Sequence, residues 1–156
     1  MTLTGEKMYS AAAQDSETKT APAEIIKQAL DAIETRMHSV VDSDVSTLRD
    51  ASRHILGAGG KRIRPRLMLL SYLANGGSPE AVSEISSPAA AIELVHTASV
   101  VHDDINDHGV VRRGRPSVNA LWGRTFALLT GDFLFTKVYE LMAPYHDLNI
   151  PLAEAT

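Results

Sequence analysis

The apolar positions of this 156-residue chain recur at helical spacing and almost nowhere at the alternation a strand needs. Ile25, Ala29, Ile33, Met37 and Val40 form one stripe, opened by Thr20 and Pro22 and running through about Val41. Ser46 is placed to cap a shorter helix that ends at Gly57, Gly59 and Gly60. Leu67 to Ala74 reads as another apolar helix, closed by Asn75, Gly76 and Gly77. Ser78-Pro79 and Ser87-Pro88 each look like an N-cap followed by proline at the first helical position, so two more helices start there. After a turn over Ser117 to Gly123, a helix from about Arg124 to Met142 offers Phe126, Leu129, Phe133, Val138 and Leu141 as its buried stripe. The closing PLAEAT reads as the first turn of one more helix. The chain is therefore expected to be all-α, with no internal repeat. Residues 1–20 are small, polar and aperiodic, which predicts a disordered tail ahead of a helical domain over 21–156.

Composition narrows the function classes. A 44% hydrophobic content suits one domain with a real core. Net charge is only −4, from 15 basic and 19 acidic side chains, so no global field favours nucleic acid or an anionic membrane. The basic run KRIRPR lacks the interleaved aromatics of a nucleic-acid surface. With no cysteine, a disulfide scaffold, a thiolate zinc site and a cysteine nucleophile are excluded. No apolar run reaches transmembrane length and the N-terminus has no hydrophobic signal core, which leads us to expect a cytoplasmic protein.

Three groups of residues carry chemistry. The long helix starting near Ser87 ends in Asp103, Asp104 and Asp107, and the i, i+4 spacing stacks Asp103 and Asp107 on one face. Like charges there repel, and either a solvated surface or a hard divalent cation such as Mg²⁺, which takes oxygen ligands, accounts for them. An EF-hand beginning at Asp104 is excluded, since its twelfth position holds Arg115 where the bidentate Glu belongs. The second group is Gly59-Gly60-Lys61-Arg62-Ile63-Arg64-Pro65-Arg66. Here glycines allow close backbone approach, Lys61 offers a point charge and Arg64 a planar fork suited to diphosphate. It lacks Walker spacing, and a solvated basic run remains the alternative. The third is His96, two helical turns before Asp103 on the same face, with Arg112 and Arg113. A core histidine is the competing reading, and His102 and His108 lack the spacing of a zinc site.

Taken in order, GGKRIRP, ELVHTASVVHDDINDHGVVRRGRPSVN and GDFLF resemble the N-terminal half of the trans-type polyprenyl diphosphate synthases. The resemblance implies an isoprenoid synthase-type helical bundle that condenses an allylic diphosphate with isopentenyl diphosphate. It implies Asp103 and Asp107 as ligands of a Mg²⁺ bridging to the allylic diphosphate, with Asp104 supporting them. Lys61, Arg64 and His96 would hold isopentenyl diphosphate, Arg112 the allylic diphosphate and Arg113 the isopentenyl one. A homodimer or heterodimer is implied as well. Ala98 and Ser99, about one turn before Asp103, are small, so the expected product is longer than farnesyl. The second aspartate-rich motif of such enzymes does not occur in this sequence. The expectation is therefore a fragment, a truncated product or a chain completed by a partner, weak or inactive alone. The alternatives are a non-catalytic or regulatory subunit of a heteromeric prenyltransferase, and a class I terpene cyclase, which needs no isopentenyl site.

Overall fold

The computed structural model describes residues 22–156, so the expected tail lies outside the described residues. Helix α1 spans Pro22–Val40, α2 Ser46–Gly57, α3 Ile63–Ala74, α4 Ser86–Asn106, α5 Val118–Met142 and α6 His146–Glu154. A 3₁₀ turn at Pro79–Ile85 leads into α4, and a short hairpin of β1 (Val111–Arg112) and β2 (Arg115–Pro116) separates α4 from α5. The all-α expectation holds.

Helix α4 is the axis of the fold, touching α1, α3, α5 and the 3₁₀ turn. Its apolar residues cover much of the circumference: Ala89, Ala90, Ala91, Leu94, Ala98, Val101 and Ile105 are all buried. Helix α1 lays its stripe on this axis, with Ala29, Ile33, Met37 and Val40 buried as the spacing predicts. Each fully buried side chain the size of Ile33 or Leu94 contributes about 1.5–3 kcal/mol of hydrophobic stabilisation.

The longest seam is α4 against α5, and it is narrower than expected. Phe126 and Leu129 are exposed; α5 buries Ala127, Thr130, Gly131 and Leu134 in their place, while the expected Val138 and Leu141 are buried. The small residues let two backbones approach. A Cβ at Gly131 would lie 2.1 Å from the His102 ring, so only glycine admits that side chain at the crossing.

Helix starts differ from expectation in instructive ways. Val45, not Ser46, occupies the N-cap of α2, in extended backbone and without a side-chain cap. Helix α3 begins at Ile63, four residues before Leu67, because Pro65 falls in the first turn where its missing N–H costs nothing. Ser78 does cap, accepting from the Glu80 N–H, but the element it opens is 3₁₀. Ser87 does not: the 3₁₀ turn runs straight into α4, so no separate cap is needed. Ser117 caps α5, and Gly123 (φ 79°) breaks that helix one turn in, where a turn was expected. The PLAEAT segment ends α6 instead of starting a helix.

Candidate functional site

Helix α4 delivers the aspartates and then stops abruptly. Asp107 is the C-cap, its N–H bonded to the Asp103 carbonyl at 2.8 Å, so the i, i+4 relation survives to the last residue. His108 then turns left-handed (φ 52°), and the Gly109 N–H bonds back to the Asp104 carbonyl at 2.8 Å. His108 is thus a helix stop of the kind usually taken by Gly or Asn.

The three carboxylates part company. Asp103 and Asp107 are exposed, whereas Asp104 is only 4% exposed. Arg112 reaches back from the hairpin to Asp104, with Nη2 donating at 2.6 Å and Nε at 3.2 Å to the same Oδ1. That hydrogen bond raises the Arg112 pKa, against a smaller opposing effect of burial. Among the described residues no group of three or more His, Asp or Glu side chains is placed to hold a metal ion, and Asp104 is paired with Arg112. The pair left free, two hard carboxylates on one exposed face, suits a Mg²⁺ ion that fills its shell with water and phosphate oxygens.

The hairpin turns at Arg113 and Gly114, both at positive φ (51° and 74°), the pattern of a type I′ turn. This carries Arg113 onto the glycine loop between α2 and α3. A Cβ at Gly60 would lie 2.6 Å from Arg113 Nη1, so the guanidinium lies directly over the glycine backbone. Lys61 and Arg64 are exposed beside it. His96, half-buried on α4, is depressed below its usual pKa first by burial and then by the charge of Arg64. Arg113 and Arg112 add to that depression and Glu93 opposes it. The first turn of α3 and the hairpin, distant in sequence, thus both carry cations whose charge is felt at one imidazole.

Below this cluster lies a cavity of about 510 Å³, with Arg64 and His96 in its wall beside apolar Met68, Val95 and Phe135. Ser99 also lines it, and its hydroxyl is satisfied by the His96 carbonyl at 2.8 Å. Ala98, paired with Ser99 in the sequence reading, faces the core with no exposed surface, because a one-residue step rotates the side chain off the cavity face. His102 leans on α5, its Nε2 3.3 Å from the Leu128 carbonyl, and takes no part in the cluster.

One contact escaped sequence reasoning. Arg62, in the middle of the basic run, folds inward to a bidentate pair with Glu34 of α1 and a single bond to Glu93 of α4. The available signal was Glu93 itself, an acid inside an otherwise apolar tract.

A polyprenyl synthetase family model matches residues 45–155. The chain is 51% identical over 102 residues to a short chain isoprenyl diphosphate synthase of Methanothermobacter thermautotrophicus, covering 65% of this chain and 30% of that protein. It is 43% identical over 114 residues to heptaprenyl diphosphate synthase component 2 of Geobacillus stearothermophilus, covering 73% and 35%. Among solved structures, a decaprenyl diphosphate synthase from Rhodobacter capsulatus superposes with TM-score 0.73 at 31% identity, over 85% of this chain and 39% of that one. The chain thus spans about a third of the length of these curated relatives. With its helices arranged as in solved isoprenoid synthases, and with the family match running from α2 to the end of α6, the chain belongs to the polyprenyl synthetase family.

Proposed function

We propose that this chain contributes the diphosphate-binding wall of a prenyltransferase that joins an allylic diphosphate to isopentenyl diphosphate, giving a product longer than farnesyl. The observation that carries the reading is an apolar cavity with Arg64 and His96 in its wall, together with the Arg113 guanidinium lying over Gly60 next to Lys61. Cations at the rim suit a diphosphate and the apolar interior suits a hydrocarbon tail.

In this reading Lys61, Arg64, Arg113 and His96 hold isopentenyl diphosphate, and Asp103 and Asp107 would hold Mg²⁺ facing the allylic diphosphate. When bound, that ion supplies charge neutralisation for the departing diphosphate. Arg112 steadies Asp104 at the base of the site and presents its partly exposed guanidinium toward the allylic side. As the allylic C–O bond ionises, the cationic side chains stabilise the charge developing on the diphosphate oxygens. The isopentenyl double bond then attacks the allylic cation, a new C–C bond forms and a proton is lost. The apolar cavity keeps water from that cation. Ser99, small and on the cavity wall, leaves room for the tail. No protein nucleophile is required. The chain is expected to bind these substrates but to turn them over weakly alone, because its sequence carries one aspartate-rich motif.

A second reading has a specific support: two relatives are named heptaprenyl diphosphate synthase component 2, from Geobacillus stearothermophilus and Bacillus subtilis. In that reading the chain is one component of a heteromeric, cytoplasmic synthase.

Calorimetric titration of the purified chain tests the proposal. Isopentenyl diphosphate should bind, and Lys61→Ala should weaken it about tenfold, the loss of one charge-assisted contact. Allylic diphosphate should need Mg²⁺, and that Mg²⁺-dependent binding should be lost in Asp103→Asn/Asp107→Asn. Isopentenyl binding indifferent to Lys61 would overturn the reading, and no isopentenyl binding at all would favour a cyclase-like site.

A further inference from the structure

Arg62 stands in the same basic run as Lys61, Arg64 and Arg66, yet its surroundings differ from theirs. Its side chain is only 11% exposed, while Lys61, Arg64 and Arg66 are exposed. Nε and Nη2 donate to the two oxygens of Glu34 at 2.8 and 2.6 Å, Nη1 donates to Glu93 at 3.2 Å, and Nη2 also reaches the Leu56 carbonyl at 3.2 Å. One guanidinium therefore ties α1, α2 and α4 together. Its own backbone is the N-cap of α3 in left-handed conformation (φ 47°, ψ 45°), which a non-glycine residue adopts only when its surroundings impose it.

Burial pulls the Arg62 pKa down, and the hydrogen bond and charge of Glu34, then of Glu93, more than offset it. The guanidinium is thus neutralised by two acids and is not available to an anion. The Glu93 side chain is 4% exposed and its second oxygen has no partner, so it is held there by Arg62 alone. Glu93 lies one helical turn before His96, and Lys61 and Arg64 flank Arg62 within two residues. The Arg62–Glu93 pair thus ties the start of α3 to α4 one turn before His96.

We propose that Arg62, clamped by Glu34 and Glu93, is a positioning residue for the isopentenyl diphosphate side of the site: it sets Lys61 and Arg64 against His96 without touching the ligand. This rests on the proposed reading of Lys61, Arg64 and His96 as diphosphate ligands.

The test exploits opposite signs. Removing a carboxylate near an anion site should tighten anion binding if the acid acts only through its field. If the clamp positions the loop, Glu93→Gln and Glu34→Gln should each weaken isopentenyl diphosphate binding by the chain, about three- to tenfold, despite the charge lost. Arg62→Lys keeps the charge but not the fork and should weaken it similarly. Mg²⁺-dependent binding of the allylic diphosphate should stay within about twofold in all three, which a general loss of fold would not allow. Should Glu93→Gln melt the chain, the half-exposed Glu34→Gln decides. Isopentenyl affinity unchanged or tighter in Glu34→Gln, or both ligands weakened equally, overturns the proposal. Lys61→Ala serves as the reference: if it has no effect, the diphosphate site itself is misassigned and the clamp has nothing to position.

Discussion

The Arg112–Asp104 pair gives the sharpest stability prediction. Asp104 is 4% exposed, and its carboxylate receives both Nε and Nη2 of Arg112, whose side chain is 38% exposed. Breaking a fully buried pair costs about 3–5 kcal/mol, chiefly by stranding a charge. An exposed pair is worth about 0.2–1 kcal/mol. With one partner buried and the other solvated, water can enter when Arg112 is truncated, so Arg112→Ala should cost about 2 kcal/mol. For a chain of this size that is a fall of about 4–8 °C in Tm. Asp104→Asn removes the stranded charge while its amide oxygen still accepts, and in that background Arg112→Ala should cost less than about 1 kcal/mol. The assay is urea denaturation of the four proteins without ligand, read as a double-mutant cycle. Equal cost of Arg112→Ala in both backgrounds would show that the pair carries no stability and that Arg112 is free for other duties.

Two further predictions follow from the same cluster. Gly60→Ala places a Cβ against the Arg113 guanidinium, the far end of a flexible side chain, so Tm should hardly move while isopentenyl diphosphate affinity falls several-fold; unchanged affinity would show that Arg113 need not lie over Gly60. His96 has a folded pKa lowered from about 6.5, so the unfolded chain takes up the proton first as pH falls. Its contribution is therefore full above about pH 6.5 and declines as pH drops below it, and urea denaturation across that window should show a slope that His96→Gln removes.

Much of the fold was legible because its signals are local. The α1 stripe follows directly from Ile33 and Met37 at one-turn spacing, and Ser117 announces α5 by its own side chain. What failed required knowledge of a neighbour. Phe126 and Leu129 look like core by hydrophobicity, yet the α4 crossing selects Ala127, Thr130 and Gly131, because close packing rewards small residues over large ones. Similarly, Ser87 has a good capping side chain and no use for it, since the 3₁₀ turn already supplies the chain entry to α4.

The candidate site divides along the same line. Spacing alone put Asp103, Asp107 and His96 on one face of a helix, because 3.6 residues per turn fixes it. Spacing could not say which charges are already taken. In the sequence Arg62 is equivalent to Arg64, and Asp104 to Asp103; in the structure Arg62 belongs to Glu34 and Glu93, and Asp104 to Arg112. Each inward member leaves its neighbour at the surface without an ion-pair partner among the described residues, so a run of like charges becomes alternating anchor and reactive group. Such runs therefore encode a site better than isolated charges do: the buried member fixes the backbone against a partner acid or base, and the fixed backbone aims the exposed one. Lys61 and Arg64 flank an anchored Arg62, and Asp103 precedes an anchored Asp104, so both halves of the proposed two-substrate site are built by the same device from charges of opposite sign.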